Sequence, residues 1–383
     1  MAKLILKEVT ALCGGKFKKV NILIEKGLIS RITTRPLDLF DAEVIEGVFA
    51  VSGYVDIHTH GGNGFDTMDK DENALTNFAR YQLFQGVTTF LPTTVTASLD
   101  ALQEVFDYAR IDQPYAKIRG LHLEGPFLSP IAKGAHKEED LLEISDYALR
   151  FVEKNADIVK RITFAPDLEN SAKLCEILTN VGIKVSAGHD NSTKADIVAC
   201  KEKGLDSITH LFNQSSTAKR PDGVQKEVGL TEYALWDKDF YCEIICDGVH
   251  VPYEMIEMAY KCKGSDKLVM VSDSLSVASS TDTELYLGSK EDGQKVKIEK
   301  GVCLLENGKV AGSITSISQA VEKLLQNTSI PFEDILKMAT LNPCKLMGWN
   351  DIGDIKKGMR ADINILDEKG KILHTIFNGR VIV

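Results

Sequence analysis

Eight short apolar runs, separated mostly by stretches of helical periodicity, fill the middle of this 383-residue chain. They lie at residues 51–55, 87–91, 118–123, 161–165, 183–188, 208–209, 240–246 and 268–272. Strand and helix in alternation bring successive strands parallel, and eight of them favour a closed (β/α)8 TIM-like barrel over an open sheet. Helices are expected over 73–85 before Gly86 and over 98–110, then from a cap at Asn170 to Gly182 and from a cap at Ser192 to Gly204.

The two ends have another character. Residues 4–6, 20–24 and 28–32 read as strands with a turn at Lys26-Gly27, and residues 361–366, 375–377 and 381–383 as strands with a turn at Asn378-Gly379. The ends are therefore expected to form one small β-sandwich domain, 1–50 with 351–383, beside a barrel over 51–350. The stretch from about 281 to 309, rich in Gly, Lys and Glu, reads as a hairpin insertion.

Residues able to bind a metal or carry a proton stand where the strand-like runs stop. Asp56-Ile57-His58-Thr59-His60 closes the first; alternate side chains of a strand share a face, so His58 and His60 can grip one ion. Glu124, His189, His210 and Asp273 follow later runs, and the ends of barrel strands converge on one mouth. Such a donor set suits one or two divalent ions, zinc first, with iron, manganese or cobalt as alternatives. The chemistry would be hydrolytic, since a bound ion lowers the pKa of water to about 7, and Asp273 could take that proton and return it to a leaving amine.

Composition narrows the partners. A net charge of −10 argues against a nucleic-acid surface or an anionic membrane, but a local basic pocket for a small anion is compatible with it. Eight dispersed cysteines without a C-x-x-C pair read as reduced thiols of a cytoplasmic protein, and Cys242 and Cys246 as packed rather than ligating. No signal-peptide core or bilayer-length apolar stretch is seen. The turn Gly61-Gly62-Asn63-Gly64 could form an anion nest or serve as a plain turn, and is left out of the site.

These residues resemble the amidohydrolase superfamily and, within it, the N-acetylglucosamine-6-phosphate deacetylase family. The resemblance covers nearly the whole chain. It rests on the segment from Gly53 to Gly61, on His122-Leu123-Glu124-Gly125-Pro126-Phe127, on Gly188-His189, Thr209-His210-Leu211-Phe212-Asn213, Asp247-Gly248-Val249-His250, Ser272-Asp273 and Ala311-Gly312-Ser313. It implies loss of acetate from N-acetylglucosamine 6-phosphate to water, giving glucosamine 6-phosphate. Glu124, His189 and His210 would hold the principal ion, and His58 and His60 a second with Glu124 bridging. Asp273 would be general base and then acid, and His136 would polarise the acetyl carbonyl. Asn213 and His250 would contact the sugar phosphate; Arg220 would reach the phosphate across the interface of a homodimer.

The chain departs from that family in one loop. Asn-Ala-Met is replaced by Asn213-Gln214-Ser215-Ser216, and Arg-x-Pro-Gly by Arg220-Pro221-Asp222-Gly223. Gln214 and its neighbours could admit the galacto epimer, N-acetylgalactosamine 6-phosphate. A cyclic amide or another N-acyl substrate, and a catalytically silent barrel, are the remaining alternatives. His122 is expected to line or support the barrel and His374 to be structural.

Overall fold

The computed structural model describes residues 3–37, 41–71, 73–282 and 284–382. Met1 and Ala2 of the amino-terminal segment, residues 38–40, Glu72, Thr283 of the insertion and Val383 of the last expected strand lie outside them.

The barrel has its eight staves: Tyr54–Thr59, Val87–Thr94, Leu121–Glu124, Val159–Phe164, Lys184–Ala187, Ser207–Ile208, Tyr241–Ile245 and Leu268–Val271. Every neighbouring pair from the first to the eighth is parallel. The ring closes where the Asp273 N–H donates to the His58 carbonyl at 3.0 Å. Alternation sorts the first stave as expected. Val55 and Ile57 point outward into a cluster with Leu91, Val269, Val271 and Leu346, which leaves Asp56, His58 and His60 facing in.

Several boundaries differ from the sequence reading. The run 51–55 is split at Gly53: Phe49–Ser52 pairs antiparallel with Ile363–Leu366 of the end domain, and the barrel begins at Tyr54. A Cβ at Gly53 would come within 2.8 Å of the Thr88 Cβ and closer still to its branches, so only glycine lets the crossing strand pass. The third stave is broken at Gly120, where φ is +116°. Thr193, not Ser192, caps the helix Lys194–Lys201, because its hydroxyl and the Asp196 carboxylate satisfy each other's orphan amides. Asn170 precedes Ser171–Asn180 without capping it; its side chain is turned to the Ile144 carbonyl at 3.2 Å.

The chain ends build one eight-stranded sheet rather than two separate ones, running from Arg380–Val381 through Phe49–Ser52 to Leu28–Thr33. Its strands share a core that includes Leu6, Ile22, Ile363, Ile365 and Ile376. The two hairpin turns have φ of 53° and 78° at Lys26-Gly27 and 51° and 72° at Asn378-Gly379, as the Asn-Gly signal implies. The insertion is a four-stranded antiparallel sheet, Leu285–Leu287, Gln294–Glu299, Val302–Leu305 and Val310–Ser313, and it roofs the mouth of the barrel. Among the described residues no helix is long and apolar enough to cross a membrane.

Candidate active site

Three of the strand-end residues enter the mouth from an unusual backbone: φ is 48° at His189, 31° at His210 and 47° at Asp273. Non-glycine residues rarely take this left-handed region, and such strain persists where the surrounding structure holds it for a purpose. Here it turns each side chain inward just after its strand stops. Glu124 still belongs to its strand and is 4% exposed, at the centre of the group.

The donor atoms crowd around that carboxylate. Glu124 Oε1 lies 3.2 Å from His189 Nε2 and 2.9 Å from His210 Nε2, and these two nitrogens are 3.0 Å apart. On the other side, Asp273 Oδ1 is 3.4 Å from His58 Nε2 and 3.2 Å from His60 Nε2, and Glu124 reaches the same nitrogens at 3.4 and 3.2 Å. Donors bound to one ion at about 2.0–2.1 Å in tetrahedral array stand about 3.3 Å from one another. Both groups have this spacing, and Glu124 spans them.

Hydrogen bonds on the far side of each ring set its role. His189 Nδ1 faces the Ala132 carbonyl at 2.9 Å, His60 Nδ1 the Thr93 carbonyl at 3.1 Å and His58 Nδ1 the Glu243 carboxylate at 3.3 Å. An acceptor there places the proton on Nδ1 and leaves the Nε2 lone pair toward the cavity, the arrangement of a metal-binding imidazole. His58 Nε2 is buried without a hydrogen-bond partner, as a nitrogen awaiting an ion would be. His136 is the opposite case. Its Nε2 is 3.3 Å from Glu124 Oε2, close enough to be grouped with the donors, but its Nδ1 accepts from the Thr96 N–H at 3.2 Å. The proton therefore sits on Nε2, which makes His136 a hydrogen-bond donor to the cavity rather than a ligand.

Charge tells the same story. Burial alone would raise Glu124, but the charge of His58 and the hydrogen bonds of His136, His189 and His210 hold it well below the usual carboxylate range. Asp273 is likewise lowered, burial being outweighed by His58 and His60. His58 is raised well above its ordinary value and His60 to about 9, burial opposing and the two carboxylates prevailing, whereas burial pulls His189 down to about 4. Two buried carboxylates thus draw positive charge to the centre, and a divalent ion meets that demand. The donor set fits such an ion.

The cavity above this cluster, about 80 Å³, is lined also by Asn213, Gln214 and His250. Asp247 Oδ2 holds His250 Nδ1 at 2.6 Å; burial lowers the imidazole's pKa but the carboxylate more than reverses this, leaving it raised. Arg220 does not reach the cavity of its own chain: it is exposed on the loop between Lys219 and Glu227, its guanidinium donating to the Val224 carbonyl. Of the loop that departs from the family, only Asn213 and Gln214 reach the cavity. Ser215 pairs with the Thr231 hydroxyl at 3.0 Å and Ser216 Oγ accepts from the Leu230 N–H at 2.9 Å, so both anchor the helix Leu230–Trp236 instead. The Gly61–Gly62 turn is turn chemistry: the Gly61, Asn63 and Gly64 amides donate to the carbonyls of Ser274, Ala278 and Ser276. His122 supports the lining, bonded to Thr93 and Thr163 hydroxyls, and His374 lies on Ile372–Phe377 in the end sheet. Cys242 and Cys246 are buried in the apolar core.

Two residues of the site escape a reading by strand ends. Glu243 and Arg161, both fully buried, face each other at 2.7 Å inside the barrel, and Glu243 also holds His58 Nδ1 and the His210 amide. Their signal was a charge placed within an apolar strand. Asp56, raised to about 7 by burial although Ser272 Oγ donates to it at 2.5 Å, ties the first stave to the eighth.

Residues 49–382 match the amidohydrolase family. The chain belongs to that family, and the donor cluster in its barrel fits a divalent ion. It is 34% identical to the crystal structure of an N-acetylglucosamine-6-phosphate deacetylase from Thermotoga maritima, with a TM-score of 0.87 and 99% of each chain covered. It is also 28% identical to the N-acetylglucosamine-6-phosphate deacetylase of Lysinibacillus sphaericus, over 99% of this chain and 97% of that one. At 29% identity it is similar to the N-acetylgalactosamine-6-phosphate deacetylase of Escherichia coli O157:H7, over 90% of this chain and 89% of the relative.

Proposed function

We propose that the chain is a metal-dependent deacetylase of N-acetylhexosamine 6-phosphates, with the gluco sugar as substrate. The observation that carries this is the convergence of four imidazoles around Glu124, three of them with the Nε2 lone pair toward the cavity, with a second carboxylate and one imidazole N–H donor, on a single roofed cavity. Glu124, His189 and His210 are the ligands of the principal ion, zinc, and His58 and His60 those of a second. A divalent ion held there supplies Lewis acidity to the amide and to water. Asp273 takes a proton from the attacking water and passes it to the amine nitrogen as the C–N bond breaks, so that water and amide become acetate and amine. The His136 Nε2–H donates to the amide oxygen as negative charge grows on it. Asn213, Gln214 and His250 orient the sugar.

The enzyme is further taken to be a cytoplasmic homodimer. Free thiols at all eight cysteines support a reducing compartment, and the family resemblance supports the dimer, whose mass light scattering would measure. The galacto epimer is the second reading, favoured by Gln214 at the cavity wall and by the Escherichia coli relative. Acetate release by the zinc-loaded protein from both 6-phosphates, compared as kcat/KM, decides between them. Higher kcat/KM on the gluco sugar is expected; preference for the galacto sugar would transfer specificity to Gln214, and release from neither would overturn the deacetylase reading.

A further inference from the structure

Glu243 occupies a place that packing alone does not explain. Its neighbours on Tyr241–Ile245, Cys242 and Ile244, belong to the main apolar core, so the alternation of the strand turns Glu243 into the barrel interior. There it meets Arg161, and neither side chain is exposed. A buried ion pair contributes little beyond what well-packed apolar groups of the same volume would, so stability is no reason for one at this point.

The two oxygens of the carboxylate have different partners. Oε1 faces Arg161 Nη2 at 2.7 Å, whereas Oε2 faces His58 Nδ1 at 3.3 Å and accepts from the His210 N–H at 3.4 Å. Arg161 cancels the charge of Glu243 and also reaches Ser207 Oγ at 3.5 Å, so the pair can fix the His58 ring without adding net charge beside the ions. His60 and His189 are held differently, their Nδ1 atoms facing the main-chain carbonyls of Thr93 and Ala132. Of these three imidazoles, His58 is thus the one whose orientation depends on a side chain. Glu243 meets the principal site through the His210 backbone amide and not through an imidazole of that site.

We propose that Glu243 is a positioning residue for the second ion: it accepts from the His58 Nδ1–H and so aims Nε2 at that ion, while Arg161 keeps the carboxylate in place. This rests on the reading of His58 and His60 as ligands of a second ion. Whether the cavity holds two ions or one is then set by a residue of the barrel interior that is itself no ligand. An acceptor behind a ligating imidazole fixes its tautomer and its direction, and losing such an acceptor weakens metal binding about 10- to 100-fold.

The test challenges zinc-loaded protein with graded chelator and counts the ions kept per chain by elemental mass spectrometry, with urea midpoints as the check on folding. It compares wild type with two double variants, Arg161→Met with Glu243→Gln and Arg161→Met with Glu243→Leu. Both lack the ion pair, but only the glutamine can still accept from His58. Wild type and the glutamine variant are expected to keep two ions to similar chelator levels, and the leucine variant to keep the first but hold the second at least about tenfold more weakly. Glu243→Asp keeps a charge beside Arg161 but draws it back from His58; it should show the same selective loss, and it decides the matter if the leucine variant does not fold. Unchanged retention of both ions, equal loss of both, or the same loss in the glutamine variant would overturn the proposal. A wild type that holds a single ion would overturn it together with the second-ion reading. Two ions held without acetate release would remove the deacetylase reading alone; selective loss in the leucine variant would still support the role of Glu243, and its absence would overturn it.

Discussion

Asp273 can be tested without disturbing the backbone that presents it. Its φ of 47° is tolerated by asparagine, and Glu124, His189 and His210 do not depend on it for their mutual spacing. Asp273→Asn is therefore expected to keep the melting temperature and the ion on those three residues, and to lower turnover at least about a hundredfold by removing proton transfer. Acetate release measured together with metal content checks this; unchanged turnover would remove Asp273 from the proton path. Most of the candidate site was legible at this scale because each candidate ligand ends an apolar run, and a charged or imidazole side chain there has few structural reasons to stand. The division of labour among the histidines came from the family resemblance alone and not from the strand pattern. That His136 donates where His58, His60 and His189 offer lone pairs depends on what faces each Nδ1, and those partners, Thr96, Glu243, Thr93 and Ala132, come from distant parts of the chain.

At the scale of elements, Arg161 on the fourth stave and Glu243 on the seventh join across the barrel interior, both wholly buried. Taking two charges out of water is repaid only while each has the other, so removing one partner should cost about 3–5 kcal/mol, whereas replacing both with apolar or neutral groups should cost much less. Glu243→Gln is expected to unfold at markedly lower denaturant, and Glu243→Gln with Arg161→Met to recover most of the loss, as a double-mutant cycle in urea would show. Additive losses would mean that the two do not act as a pair. The staves themselves were evident from alternation and turn residues, but their edges were not. The boundary at Gly53 is set by Thr88 on the neighbouring stave, and the cap at Thr193 by competition between adjacent hydroxyl residues that local sequence does not resolve.

The whole molecule is held by contacts that no single segment contains. The end sheet meets the barrel where the Gly53 N–H donates to the Asp362 carbonyl at 2.8 Å and Asn364 Nδ2 to the Gly86 carbonyl at 2.8 Å, and where the rings of Phe17, Phe49 and Phe332 cluster with centroids 5.1 to 5.8 Å apart. Inside the barrel an ion at the proposed centre would have the same integrating effect. Its proposed ligands come from the first, third, fifth and sixth staves, so an ion bound there ties together strands that unfolding would disperse, and the unfolded chain offers it no such site. Binding to the folded state alone stabilises by about 2.7 kcal/mol when free ion is a hundredfold above its dissociation constant. For a chain of this size that corresponds to roughly 3 °C in melting temperature. Chelation is thus expected to lower the melting temperature by about this amount or more, and restored zinc to return it, with the shift growing as free zinc rises. Because end sheet and barrel share hydrogen bonds and an aromatic cluster, the whole transition should move rather than a part of it. Scanning calorimetry of chelated and reloaded protein measures this directly, and identical curves would show that no ion holds the staves together.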